Sequence, residues 1–308
     1  MPVAGDAWEV AIQIRGSYSE ILRAARWAES YGLAALALPD HYLASATALE
    51  EPAWDSLVQF AGIARETERI ELIDLVSPIT FRHPAVYAKM AATLSDMSQN
   101  RFWLGLGTGW MEEEHRLFGI DFPQTAERFL MLEEALGYLD ALKHGIAFEG
   151  RLYRLESFGS APAFQVPIVV GGSGLIKTPA LAGYFANEFN LFPSRAEDIA
   201  DRIEYCLQTA TLRGRSPSDV RISFTCIPVG GIDEAGYRKV LEQQAAALNR
   251  EPDQLEGRLA YRGIPHGHRD LVMDQMVKLA DLGISRIYLQ CATTEPADLE
   301  ELVAPYLP

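Results

Sequence analysis

The sequence predicts an α/β fold: a (β/α)8 TIM barrel with insertion loops at the C-terminal face. Three observations carry that expectation. Short β-branched or apolar runs alternate with longer amphipathic stretches along the chain, and repeated βα units imply a parallel sheet because parallel neighbours need a crossover. Eight runs of the strand type are present. No Pro/Ser/Gly-rich linker divides the 308 residues, so 1–308 read as one domain. Eight units in that length suit a closed barrel better than an open doubly wound sheet, which is the alternative.

In chain order, Val10–Ile14 reads as a strand and Ser19–Tyr31 as a helix, punctuated by Gly32. Ala35–Leu38 is the second strand, followed by a helix over Trp54–Glu66. Glu71–Val76 is the third strand, and Pro84–Ser98 is a helix with proline in its first turn, where a missing N–H costs little. Phe102–Leu106 and the long helix Gln124–Lys143 form the fourth unit. Pro167–Val170 precedes a helix over Leu175–Phe185, and Glu188–Leu191 one over Arg195–Leu212. Ile222–Pro228 precedes Glu234–Asn249, and helix Arg269–Leu282 leads to the last strand, Arg286–Gln290. His144–Phe164 and Arg250–Gly267 read as irregular insertions able to cover a site.

Composition narrows the partners. The 48% hydrophobic and 22% charged residues suit a globular enzyme, and no apolar stretch is long enough for a membrane span. Lys and Arg total 27 against 42 Asp and Glu, a formal charge of −15. Such a surface repels phosphate backbones, so neither nucleic acid nor membrane is an expected partner. An anionic ligand would need a local cluster of N–H groups or basic side chains. The N-terminal MPVAGDAWEV lacks the basic and apolar regions of a signal peptide, so a cytoplasmic location is expected. Cys206, Cys226 and Cys291 form no C-x-x-C and read as buried small hydrophobes.

In a parallel barrel the loops after the strands carry chemistry. After the second strand stand Asp40 and His41. The imidazole can exchange a proton near neutral pH, and Asp40 can accept a ligand hydrogen bond or cap the next segment. After the third, Ser77 offers a hydroxyl and Arg82 a charge for an anion. After the fourth comes Gly105-Leu106-Gly107-Thr108-Gly109-Trp110, which is not a dinucleotide fingerprint because G-x-G-x-x-G would need glycine where Trp110 stands. Trp110 can wall a planar cofactor or a substrate pocket. After the fifth comes Gly171-Gly172-Ser173-Gly174, leading into a helix with Lys177 in its first turn. Free N–H groups there, with the lysine, make the chain's best phosphate site. No nucleophile elbow forms, since Leu175 replaces the second glycine of G-x-S-x-G. His266-Gly267-His268 reads as a polar loop, and no metal site is expected. His115 and His144 read as surface residues, and Trp8, Trp27, Trp54 and Trp103 as core or rim aromatics.

Together these pieces resemble the luciferase-like monooxygenase superfamily. The stretch Arg101–Leu136, RFWLGLGTGWMEEEHRLFGIDFPQTAERFLMLEEAL, resembles its hallmark block. LPDH, SPITFRHPAVYAKMAATLSDMS, the GGSG turn and Gly283–Tyr288 follow in the family's order, from about Val10 to Leu302. The Asp-His pair and G-x-G-T-G-W are most similar to the branch that uses the deazaflavin coenzyme F420. The resemblance implies hydride transfer between F420 and a small organic substrate. Asp40 would then bond the cofactor, with His41 as proton donor or substrate anchor beside the ring. Ser77 would contact the ring region, Thr108 and Gly109 would line the pocket, and Gly171, Gly172 and Ser173 would cradle the phosphate. It also implies a non-proline cis peptide within Asp74–Val76, backing the ring, and a homodimer in which helices such as Pro84–Met97 could pair. Two alternatives stay open: an FMN-dependent two-component monooxygenase served by a separate cofactor reductase, and a non-catalytic cofactor-binding protein. Two departures stand out. In the glucose-6-phosphate dehydrogenase branch a proton-donating Glu follows the T-G pair, where this chain has Trp110, which makes that sugar phosphate doubtful as substrate. The family's usual Ser-Gly-Gly-Arg is Ser98-Gln99-Asn100-Arg101 here, at the barrel bottom.

Overall fold

A computed structural model describes residues 8–44, 53–157 and 164–308. The barrel strands are β1 (Glu9–Gln13), β2 (Ala35–Leu38), β3 (Glu71–Asp74), β4 (Phe102–Gly107), β5 (Ile168–Gly172), β6 (Glu188–Leu191), β7 (Arg221–Cys226) and β8 (Ile284–Gln290). Each pairs in parallel with its neighbours, β8 returns to β1, and β3 pairs with β4, so the sheet closes. The helices are α1 (Tyr18–Tyr31), α2 (Ser56–Glu66), α3 (Pro84–Met97), α4 (Glu112–Phe118), α5 (Thr125–His144), α6 (Lys177–Phe185), α7 (Asp198–Leu212), α8 (Glu234–Ala247), α9 (Pro252–Tyr261), α10 (Arg269–Asp281) and α11 (Pro296–Val303).

Local chemistry sets several of these boundaries. The Glu20 carboxylate accepts from the Ser17 N–H at 2.8 Å and fastens the start of α1, while Gly32, at φ +89°, takes the left-handed turn that ends it. Pro84 opens α3, where its missing N–H leaves no partner wanting. Strand residues alternate between two cores. Val10 and Ile12 face the helices, while Ala11 joins Ala35, Ala37, Ile73, Val169 and Tyr288 inside the ring. Both faces are covered, which is why the strands read as nearly continuous apolar runs.

The two stretches read as irregular hold regular structure. A hairpin pairs Phe148–Glu149 with Arg154–Leu155, and 158–163 lie outside the described residues. Helix α9 fills much of 250–267. His266–His268 is a strand rather than a loop, paired with Val229–Gly231. Helices α4 and α11 were not expected. The three cysteines are free and buried, and burial pushes the Cys206 and Cys291 thiols up to about 12. No helix among the described residues is long and apolar enough to cross a membrane.

Candidate active site

Because all eight strands run the same way, the residues after their C-termini share one rim. His41 follows β2, Ser77 follows β3, Thr108–Trp110 follow β4, and Gly171–Ser173 end β5. The imidazole and the glycine cradle therefore lie at the same end of the molecule.

Asp40, only 3% exposed, anchors one side of this rim. Its Oδ2 accepts from the Ser77 hydroxyl at 2.7 Å and from Arg82 Nη1 at 2.5 Å. Arg82 Nη2 also donates to Asp55, whose other oxygen caps α2 at the Val58 N–H. Arg82 is thus paired twice, and Ser77 faces Asp40. The ligand-facing capacity of Asp40 rests on its remaining oxygen.

Between Asp74 and Ser77 the chain bulges. Ile73 to Ser77 spans one more residue than their β4 partners, Trp103 to Leu106. The Leu75–Val76 peptide is cis, within the expected segment. The Leu75 carbonyl accepts from Gln13 Nε2, and Gln13 accepts in turn from Gln290 at 2.9 Å. Val76 turns toward Gly105, Gly107 and Gly171. A Cβ added at Gly105 would meet the Asp74 carbonyl at 1.8 Å, and one at Gly107 would sit 2.9 Å from Val76. Only glycine lets the bulge press this closely on β4.

Asp74 lies beneath, with no exposure. Burial raises its carboxyl well above the usual range, and the Asp40 charge adds to that. Ser56 donates to its Oδ1 at 3.3 Å, and Oδ2 has no partner. Both causes, burial and the Asp40 charge, favour the protonated form of the Asp74 carboxyl. A carboxyl raised in the folded state contributes stability that is full below its unfolded value, near about 4. That contribution is lost as pH rises toward the folded value. Asp74→Asn cannot ionise, so thermal melts from acid to mildly alkaline pH should show the variant gaining on the parent as pH rises. A pH-independent difference would mean that folding does not shift the Asp74 carboxyl.

His41 has a partner that sequence reading missed. Its Nδ1 lies 3.0 and 3.2 Å from the two oxygens of Glu114, which also accepts from the Tyr42 N–H at 2.9 Å. Glu114 sits on α4 with no exposure, whereas its neighbour Glu112 is exposed. Trp110 stands edge-on to His41 at 5.8 Å between centroids and is 68% exposed. His115 is buried, contrary to the surface position expected. It bridges Thr80 Oγ1 at 2.7 Å and the Met111 carbonyl at 2.8 Å, packed between Phe81 and Phe122. Thr108 is half-buried, and Gly109 turns at φ +74° with its carbonyl held by Arg128, a second side chain not anticipated.

On the opposite side, the Gly172 carbonyl is held by Arg202, which also donates to the Phe192 carbonyl at 3.1 Å. Arg202 is almost wholly buried, and desolvation lowers its pKa to about 10. It too escaped sequence reading. Ser173 is exposed, and α6 begins at Lys177 with no side-chain cap. The Lys177 ammonium lies 5.3 Å from the Phe129 ring centroid, at the edge of the cradle. No group of three or more His, Cys, Asp or Glu suited to a metal occurs among the described residues.

A closed parallel barrel with Asp40, His41 and Ser77 just beyond the strand C-termini has the layout in which barrel enzymes carry their active sites. The chain belongs to the luciferase-like monooxygenase family, whose sequence profile matches residues 2–281. It is 32% identical over 256 residues to an F420-dependent glucose-6-phosphate dehydrogenase of Nocardia farcinica, covering 75% of this chain and 76% of that one. Among solved structures, an F420-dependent secondary alcohol dehydrogenase in complex with an F420-acetone adduct superposes with a TM-score of 0.74 at 17% identity, over 97% of this chain and 99% of the other. The monooxygenase RslO1 from Streptomyces bottropensis superposes at 0.78 with 19% identity, over 97% and 98%. Those two likenesses describe the fold.

Proposed function

We propose that this protein is an oxidoreductase that transfers a hydride between coenzyme F420 and a small organic substrate. The observation that carries the proposal is the shared rim. A carboxylate-backed imidazole, His41–Glu114, and an uncapped helix start behind Gly171–Ser173 lie at one end of the barrel, with the Val76 bulge between β3 and β4. The names of the curated relatives point the same way.

The residues present fit such a group. The first-turn N–H groups of α6 lack a side-chain cap, and Lys177 adds charge, so a phosphate has partners there. Gly107 and Gly171 carry no Cβ beside Val76, which leaves a close backbone wall for a flat ring system. Asp40, Ser77, Thr108 and Gly109 border that wall. F420 supplies two-electron hydride chemistry when bound. The chain's own part is to position it and to move a proton. Glu114 holds His41 through Nδ1, which leaves Nε2 as the nitrogen that exchanges a proton with substrate.

Titrating the purified protein separately with F420 and FMN, by cofactor fluorescence, tests this reading. Saturable F420 binding at micromolar or lower concentration is expected. Tight FMN binding with no F420 affinity would overturn it in favour of the flavin monooxygenase reading.

A further inference from the structure

We infer that Gln13 is a positioning residue for the cofactor ring: it sets the Val76 wall by holding the Leu75 carbonyl, and Gln290 fixes Gln13 from the open rim. This inference rests on the cofactor reading above, in which a flat ring lies against that wall.

The wall needs a hold from outside its own pair of strands. Pairing of β3 with β4 lapses after Ile73 and Trp103 and resumes at Ser77 and Leu106, one residue out of step. Within the lapse the Leu75 N–H still bonds the Leu38 carbonyl of β2 at 2.9 Å. The Leu75 carbonyl is met by a side chain instead, Gln13 Nε2, reaching in from β1 two strands away. The fit behind Val76 is close. Cβ atoms built at Gly105, Gly107 and Gly171 would lie 2.8, 2.9 and 3.1 Å from its methyl groups. Even a small shift of Leu75 and Val76 therefore moves the surface that the ring would meet, and misplacement of a reacting group is costly.

The hydrogen bonds run in one direction. A carbonyl oxygen only accepts, so Leu75 fixes the Gln13 amide with its nitrogen turned inward. Gln13 Oε1 then needs a donor, and at 5% exposure the side chain has little access to water. Gln290 Nε2 supplies that donor at 2.9 Å. The two residues stand opposite each other at the ends of β1 and β8, and Gln290 is exposed at the barrel mouth. Turning the Gln13 amide over would set its oxygen against the Leu75 oxygen and its nitrogen against the Gln290 nitrogen. Gln290 thus holds Gln13 in the orientation that Leu75 requires, and both amides stay uncharged across the pH range.

Three full-length variants test this: Gln13→Met, Gln290→Met and the two combined. Methionine keeps the length of the side chain and lacks the amide. In F420 titrations read by cofactor fluorescence, Gln13→Met should raise the dissociation constant about tenfold and Gln290→Met about threefold, as for one hydrogen bond lost and one loosened. On the Gln13→Met background Gln290→Met should cost nothing further, because the group it acts through is gone. The emission maximum of bound F420 should move in Gln13→Met, a signature of an altered ring environment. In the protein without cofactor, amide hydrogen exchange over residues 73–79 should quicken about tenfold in Gln13→Met. Equal costs of Gln290→Met on both backgrounds would make Gln290 a direct ligand contact and overturn its action through Gln13. Unchanged exchange over 73–79, or F420 affinity that Gln13→Met leaves alone, would overturn the positioning role of Gln13. If the parent protein does not bind F420, the F420 reading falls by itself. FMN then replaces F420 in the same titrations, and the exchange measurement decides the hold on Leu75 with either cofactor or none.

Discussion

His41→Ala should lower turnover about 100- to 10,000-fold, the range expected when a positioned general acid or base is removed, while F420 affinity should change little. The imidazole is 22% exposed and held at Nδ1 by Glu114, so its orientation is fixed while it still reaches the open rim. The proposed phosphate cradle, Gly171–Ser173, stands at the end of a different strand, β5, where Arg202 holds the Gly172 carbonyl. Steady-state kinetics and cofactor titration on the same preparation separate the two quantities. Glu114→Gln should lose less turnover, since a glutamine can still hydrogen-bond Nδ1, and it should displace the pH profile. If His41→Ala lost cofactor affinity and kept turnover per bound cofactor, His41 would be a binding group and the proton would travel elsewhere.

The barrel was legible because its signals are local. Strands Ala35–Leu38 and Glu188–Leu191 fall where the sequence places them, and the other six shift by one or two residues at one or both ends. Glycine and proline punctuate the turns, and the order of βα units dictates the closure. The rim loops were legible for the same reason: a parallel barrel fixes which end of each strand faces the site. The side chains that reach into the site from helices were not. Glu112, Glu113 and Glu114 are indistinguishable as letters, and only the docking of α4, a seven-residue helix, turns Glu114 inward onto His41. The same rotation buries His115. Arg128 and Arg202 sit on helices, where an arginine usually marks the solvent face, yet both turn in to bind backbone carbonyls at the rim. Helix α9 was readable in principle, because Pro252 stands at its start and Leu255 and Leu259 share its buried face. Gly257 and the charges around it obscured that pattern.

Arg286→Met should destabilise the fold by about 3 kcal/mol, the lower end of the range for leaving buried charges unpaired, and should leave turnover per folded molecule unchanged. Arg286 is 1% exposed inside the ring, near the strand N-termini and away from the rim. It reaches Glu71 at 2.7 Å, Glu9 at 2.6 Å, the Tyr288 hydroxyl at 3.1 Å and Glu188 at 3.5 Å. Glu188 has no exposure, so water cannot replace the lost guanidinium there. Two features keep the loss at the lower end. Glu9 is 45% exposed and Glu71 29%, so solvent already screens those arms. Arg221 also stands 3.5 to 3.9 Å from Glu71, Glu188 and Glu9 and keeps part of the attraction. The cost is that of stranded carboxylates, more than the worth of the network itself. Adding Glu188→Gln to Arg286→Met should therefore recover part of the stability, since Gln can still bond Ser223 and Tyr288, which now meet the Glu188 carboxylate at 2.7 and 2.9 Å. Urea unfolding of the two variants reads both values. A double variant less stable than Arg286→Met would mean that the Glu188 charge still finds a partner without Arg286, and that Arg221 carries the network.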